Sequence, residues 1–181
     1  RAMRRRMEPG QPNNSFVNRS TFNVTYNVTD ASAIIGCNLY VGADLNSTNQ
    51  TPVSKGVPQY LLASSVEDGW HDFYVTCEDE FFNINISDIF NYTIDTIAPS
   101  LTLNEPKNVT YNLSIVTLNY TVSELNIDRC IRELNGINST ITNCQNQTLD
   151  ESLLGEQSHK IIIWVNDSAG NTNVSEISFS F

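Results

Sequence analysis

Asparagine is the residue type through which this chain has most opportunity for covalent chemistry. Fifteen of its 23 asparagines open the triplet Asn-x-Ser/Thr with x not proline: Asn13, Asn18, Asn23, Asn27, Asn46, Asn49, Asn85, Asn91, Asn108, Asn112, Asn119, Asn138, Asn146, Asn166 and Asn173. Serine and threonine supply 34 of the 181 residues, so chance placement would give only about four such triplets. The triplet is the acceptor for N-linked sugar, and its use implies a secreted protein with the asparagine at the surface.

Other side chains offer less. His71 and His159 are the two histidines, and they fall at the same position of an internal repeat, which favours a structural role at the start of a strand. No Gly-x-Ser-x-Gly, phosphate loop or His-Glu-x-x-His occurs, so the chain reads as a non-enzyme with no catalytic residues and no cofactor beyond N-linked glycans. Calcium is the one metal to weigh. Glu78, Asp79 and Glu80 stand in a row, with Asp95 a candidate neighbour at a domain hinge, and bare carboxylates that repel one another would welcome a cation. A solvated acidic turn is the plainer reading. Asp167-Ser-Ala-Gly-Asn171 has oxygen ligands too, but reads first as a turn in which Asp167 accepts backbone N–H groups and Gly170 supplies a positive φ.

The elements that must position these residues are strands. Phe22, Val24, Tyr26 and Val28 alternate with Asn23, Thr25, Asn27 and Thr29, and Val116, Leu118, Tyr120 and Val122 alternate with Thr117, Asn119 and Thr121. On a strand the asparagine and the threonine two residues later share a face, so sugar can ride on the sheet itself. Helical periodicity is nearly absent, although Leu149–Gly155 could form a short turn. In Lys160–Val165, Ile161 and Ile163 face inward, while Ile162 and Trp164 face outward, either to an interface or to a second layer.

The pattern occurs twice. Phe22–Thr29 matches Leu118–Glu124, His71–Asp79 matches His159–Asp167 without a gap, and Asn83 and Asn171 each follow the aspartate by four residues. Asp95-Thr-Ile-Ala-Pro99 separates the copies. The expected organisation is a basic N-terminal arm over 1–8, one domain over 9–95 and a second over 96–181, each a small all-β sandwich.

Four cysteines suit an oxidising compartment, and by number alone allow three pairings. Ile35, Cys37, Leu39 and Val41 are expected on one face, and His71, Phe73, Val75 and Cys77 on another, both towards the core, which predicts Cys37–Cys77. Cys130 and Cys144 flank a hairpin signal, Asn135-Gly136, and are expected to pair with each other. Four free buried thiols are the rival reading.

Charge excludes some partners. The net charge is −10, and residues 1–8 alone carry four arginines against one glutamate. An acidic body repels nucleic acid and anionic lipid. No apolar run approaches the roughly 18 residues of a membrane helix, so this segment is not expected to insert directly. The absence of an initial Met fits either a processed leader or a piece of a longer chain. The arginine-rich arm suits an acidic surface such as another copy of this chain, and a strand donated by Arg1–Asn18 would give head-to-tail assembly.

Cys37-Asn-Leu-Tyr-Val-Gly42, Val75-Thr-Cys-Glu-Asp79, Asn166-Asp-Ser-Ala-Gly-Asn171 and the linker Asp95–Pro99 together resemble the tandem immunoglobulin-like repeats of archaeal cell-surface proteins. The resemblance covers nearly all the chain after residue 11. It departs at Glu78-Asp-Glu-Phe-Phe-Asn83, which replaces the usual Asp-Ser-Ala-Gly-Asn turn, and at the arginine-rich start. It implies two tandem immunoglobulin-like β-sandwiches at the cell surface or outside the cell, used as spacers, stalks, adhesins or filament subunits. The expected role is a non-catalytic, heavily N-glycosylated building block of an extracellular filament, stalk or surface layer, partnered by copies of itself or by neighbouring repeats. The alternative is an adhesin or ligand-binding module, for which a loop over 44–60 is long enough but carries Asn46 and Asn49.

Overall fold

A computed structural model describes residues 4–5, 13–50 and 53–181, with only the backbone of residues 4–5. The chain divides into two compact units, Arg1–Thr96 and Ile97–Phe181. Among the described residues no helix is long and apolar enough to cross a membrane.

The first unit holds β1 (Arg4–Arg5), β2 (Ser15–Val17), β3 (Phe22–Asn27), β4 (Ile34–Val41), β5 (Asp44–Asn49), β6 (Gln59–Ala63), β7 (Gly69–Asp79), β8 (Ile84–Ile86) and β9 (Phe90–Ile94). One sheet runs β1-β3-β6, the other β2-β9-β7-β4-β5, with β8 also paired to β7. All neighbours are antiparallel except β2, which runs parallel to β9. Alternation builds the core: along β3, Phe22, Val24 and Tyr26 are buried while Asn23, Thr25 and Asn27 are half-exposed. They meet Cys37 and Leu39 of β4, Phe73, Val75 and Cys77 of β7, and Tyr92 and Ile94 of β9. Each such apolar side chain, fully buried, contributes about 1.5–3 kcal/mol relative to exposure.

β4 departs from the expected face. Its register slips between Ile34 and Gly36, so Ile34 is buried and Ile35 is 40% exposed on the opposite side from Cys37 and Leu39. A bulge adds one residue and reverses the facing of what precedes it. The expected 44–60 loop is also partly strand, because β5 occupies its first six residues and β6 begins at Gln59.

The N-terminal segment pairs within its own chain where it is described. Arg4 and Arg5 lie opposite Asn27 and Tyr26, and Ser15–Val17 lie along Tyr92–Ile94. Ser15–Val17, part of the Arg1–Asn18 segment expected to add a strand to another copy, is therefore an edge of this unit's own sheet. The rest of the basic arm lies outside the described residues.

The second unit holds β10 (Ser100–Glu105), β11 (Ile115–Ser123), β12 (Ile127–Leu134), β13 (Ile137–Ile141), β14 (Gln147–Asp150), α1 (Glu151–Leu154), β15 (Ser158–Asp167) and β16 (Thr172–Ser180). Its sheets are β10-β11-β14 and β13-β12-β15-β16. Leu118 and Tyr120 from one face Cys130, Ile161, Ile163, Val165 and Phe179 from the other. Asn135 and Gly136 both take positive φ (51° and 85°) in the two-residue turn between β12 and β13, which is why the hairpin signal works. α1 is a single turn capped by Asp150, whose carboxylate accepts the Ser152 N–H at 2.9 Å.

Candidate functional site

The acceptor asparagines are spread over both units, and none of the fifteen is buried. Alternation explains this: Asn23 and Asn119 sit at equivalent outward positions of β3 and β11, beside the buried Phe22 and Leu118. Asn85 and Asn173 form another equivalent pair, early in the strand that follows each Asp-to-Asn turn. Asn108, Asn112, Asn138 and Asn146 are exposed in turns or at strand ends of the second unit.

Some of these amides also hold the fold. Asn46 donates through Nδ2 to the Ser64 carbonyl at 3.0 Å and accepts the Ser64 N–H at 2.9 Å, tying an edge of one sheet to the end of the other. Asn173 Nδ2 donates to the Pro99 carbonyl at 2.8 Å, and Asn49 Nδ2 to the Tyr26 hydroxyl at 3.4 Å. Asn91 is likewise anchored once its amide is oriented by its neighbours, which puts the nitrogen and not the oxygen 2.6 Å from Asp72 Oδ1. In these four the nitrogen that would carry a sugar is already in use. By contrast Asn13 and Asn146 engage the backbone through Oδ1 only in the recorded contacts, to Asn91 N–H and Tyr120 N–H.

The cysteines pair as Cys37–Cys77 and Cys130–Cys144, and no free thiol remains. Cys37 lies directly opposite Cys77 on adjacent strands, with Cα atoms 4.1 Å apart. The bond therefore cross-links β4 and β7 inside one sheet and does not join the two sheets as in antibody domains. The second bond ties β12 to the 3₁₀ turn at Thr142–Cys144 that follows β13.

Each histidine pins the loop that enters its strand. His71 Nε2 lies 2.8 Å from the Glu67 carbonyl, and His159 Nε2 3.0 Å from the Gly155 carbonyl, four residues back in both cases. His159 is buried against Phe179 and Phe181, and its Nδ1 lies 2.9 Å from Asn135 Nδ2. The Nε2–H tautomer satisfies both His159 contacts, donating at one nitrogen and accepting at the other.

The acidic residues do not gather. Glu78 points to the outer sheet face, Glu80 accepts the Ala33 N–H at 3.1 Å, and Asp95 is buried at the end of β9. Asp79 is buried and its Oδ1 accepts the Phe81 and Asn83 N–H groups, both at 2.9 Å. Asp167 repeats this with Asn171, accepting its N–H at Oδ1 and its Nδ2 at Oδ2, both at 2.8 Å. The two carboxylates are the keystones of equivalent turns. Among the described residues no three His, Cys, Asp or Glu side chains converge, Glu78, Asp79 and Asp95 included.

Burial shifts three phenols. Tyr120 is pushed up to about 12 by loss of solvation, and Tyr26 and Tyr111 are raised for the same leading reason. Ile162 and Trp164 are half-buried, with Trp164 flanked by Ile131 and Val174 on neighbouring strands.

The fold defines the class: immunoglobulin and fibronectin-III-like β-sandwich modules. Fibronectin(III)-like modules of CbhA from Clostridium thermocellum are similar to this chain at 14% identity, over 99% of this chain and 93% of that one, with a TM-score of 0.56. The D00–D0 domain of intimin (9% identity, 99% and 100% covered, TM-score 0.40) and the FN1–FN3 domains of chicken CNTN1 (10%, 95% and 69%, 0.41) are more distant, at scores too low to bear on the argument. No protein-family model matches the chain, and neither does any curated protein.

Proposed function

We propose that this chain is a non-catalytic, N-glycosylated building block of an extracellular filament, stalk or surface layer, set at an archaeal cell surface. The observation that carries the reading is the placement of the acceptors: fifteen triplets, far above chance, and not one acceptor asparagine in either core. Two disulfides suit the same oxidising setting. The archaeal setting rests on the repeat motifs alone. Sugars on outward strand positions would shield sheet faces from proteases and block unwanted edge pairing. The second unit's β13 and the first unit's β5 are edge strands that carry acceptors at Asn138, Asn46 and Asn49.

The test is glycopeptide mass spectrometry on protein from a glycosylating archaeal host. The expected result is sugar at most acceptors, highest at Asn108, Asn112 and Asn138, and lowest at Asn46. Uniformly bare asparagines would remove the glycoprotein reading. Electron microscopy of the same material checks assembly, with ordered polymers or arrays expected and dispersed single particles against it.

A further inference from the structure

We propose that the outer face of the first unit's larger sheet is a binding site for a neutral oligosaccharide. A groove of 470 Å³ crosses four strands there, from Ile84 of β8, over Thr76 and Glu78 of β7 and Asn38 and Tyr40 of β4, to Thr48 of β5. Three features fix its chemistry.

The first is an aromatic platform. Tyr40 lies opposite Tyr74, and the rings stack in parallel with centroids 5.0 Å apart and an interplanar angle of 5°. Each ring thus holds the other upright on the sheet, and an ordered ring loses little freedom when a ligand packs on it. Trp70, 59% exposed, stands on the same face of β7 as Tyr74. Four residues along a strand separate the two by about 13 Å, the span of two to three linked sugar rings. Sugar rings present flat C–H faces that suit such a row.

The second is a set of uncommitted polar groups. Among the described residues, the side chains of Asn38, Thr48, Thr76 and Glu78 take part in none of the recorded hydrogen bonds. An amide, two hydroxyls and a carboxylate therefore converge on one groove with donors and acceptors to spare. Hydroxyl-rich ligands are read by such groups.

The third feature removes the competitors. The groove lies on the face of the sheet, where the ladders β8-β7-β4-β5 already use the backbone. An added peptide strand would find no main-chain partners here. No lysine or arginine lines the groove and Glu78 does, so anionic sugars and nucleic acid are disfavoured. None of the fifteen acceptor asparagines lines it either. The slip at Gly36 that turned Ile35 outward places that side chain against the same groove, opposite the other apolar wall, Ile84. Nothing in the chemistry of the site requires the chain's own acceptors to carry sugar.

The test uses the full chain made with its disulfides in a host that adds no N-glycan, so that no covalent sugar on Asn91 reaches this face. It is titrated with tetrasaccharides of glucose, mannose and N-acetylglucosamine at millimolar concentration. Amide NMR shifts and calorimetry supply the readout. At least one neutral sugar is expected to bind and to shift residues of β4 and β7, and Tyr40→Ala and Asn38→Ala are each expected to weaken it about tenfold. Tyr40→Phe is expected to retain it, which assigns the loss to the ring and not the hydroxyl, and the dispersed amide spectrum of each alanine variant separates lost stacking from lost folding. The proposal is overturned if none of these sugars shifts the β4 and β7 amides, if binding survives both alanine variants, or if an acidic oligosaccharide binds more tightly than every neutral one.

Discussion

His159, Tyr120 and Phe82 show how single side chains carry this fold. His159 closes two hydrogen bonds inside an aromatic cluster, and His71 repeats one of them in the first unit. Repeat position alone pointed to that role, because two histidines at one structural address signal architecture more than chemistry. Burial penalises the Tyr120 phenolate and pushes this phenol up to about 12 from its ordinary 10.0. A raised pKa means the unfolded chain loses its proton first. The Tyr120 contribution is thus constant below pH 10 and falls as pH rises from 10 to about 12. Tyr120→Phe should flatten that alkaline loss in denaturant titrations of the second unit, and should cost about 1 kcal/mol at neutral pH for the hydrogen bond to the Gln145 carbonyl. Phe82 takes φ 63° where its repeat equivalent is Gly170 at φ 90°. The left-handed region is strained for a residue with a Cβ, and the ring is 76% exposed. Phe82→Gly should therefore stabilise the first unit by about 1 kcal/mol in equilibrium unfolding. The facing of Ile34 and Ile35 was not legible from sequence: the two residues are the same type, so period two cannot tell which one turns inward across a bulge.

At the scale of elements, the two Asp-to-Asn turns are one device with different fillings. In both, the aspartate N–H donates to the asparagine carbonyl at 3.1 Å, and the aspartate carboxylate accepts the asparagine N–H. Small Ser-Ala-Gly fills one turn and bulky Glu-Phe-Phe the other, yet the geometry holds. The acids of Glu78–Glu80 looked like a cluster because they are adjacent in sequence. Strand alternation sends Glu78 to the outer face and Asp79 inward, and so separates them. Asp167→Ala should cost about 1–3 kcal/mol, since it removes the acceptor of the Asn171 N–H and one of the acceptors of its Nδ2, and Asp79→Ala should cost a similar amount in its own unit. Thermal or urea unfolding of the single variants checks both. The strand after the first turn is broken into β8 and β9, whereas β16 runs unbroken along β15. Ser87 sits at the break, its N–H donating to the Val75 carbonyl at 2.8 Å and its Oγ accepting the Val75 N–H at 2.6 Å. Nothing in hydrophobic periodicity announces a side chain that substitutes for a ladder partner, which is why this break and the β5 strand inside the expected loop were not visible beforehand.

For the whole molecule, alternation, cysteine placement and turn residues were enough to read an all-β chain, because all three report directly on which way a side chain faces. What sequence could not supply was pairing between distant strands, such as the parallel β2–β9 edge, since nothing local encodes it. Each unit carries its own disulfide, so each should lose stability separately on reduction. Cys37→Ala with Cys77→Ala should cost the first unit about 2–5 kcal/mol in chemical denaturation and leave the unfolding of the second unit unchanged. The account as a whole stands on sugar covering these sheets outside the cell. Intact mass of the chain from its natural source, before and after chemical deglycosylation, tests that most directly. A marked loss of mass on sugar removal is the predicted result, and a native species whose mass does not change on that treatment would contradict it.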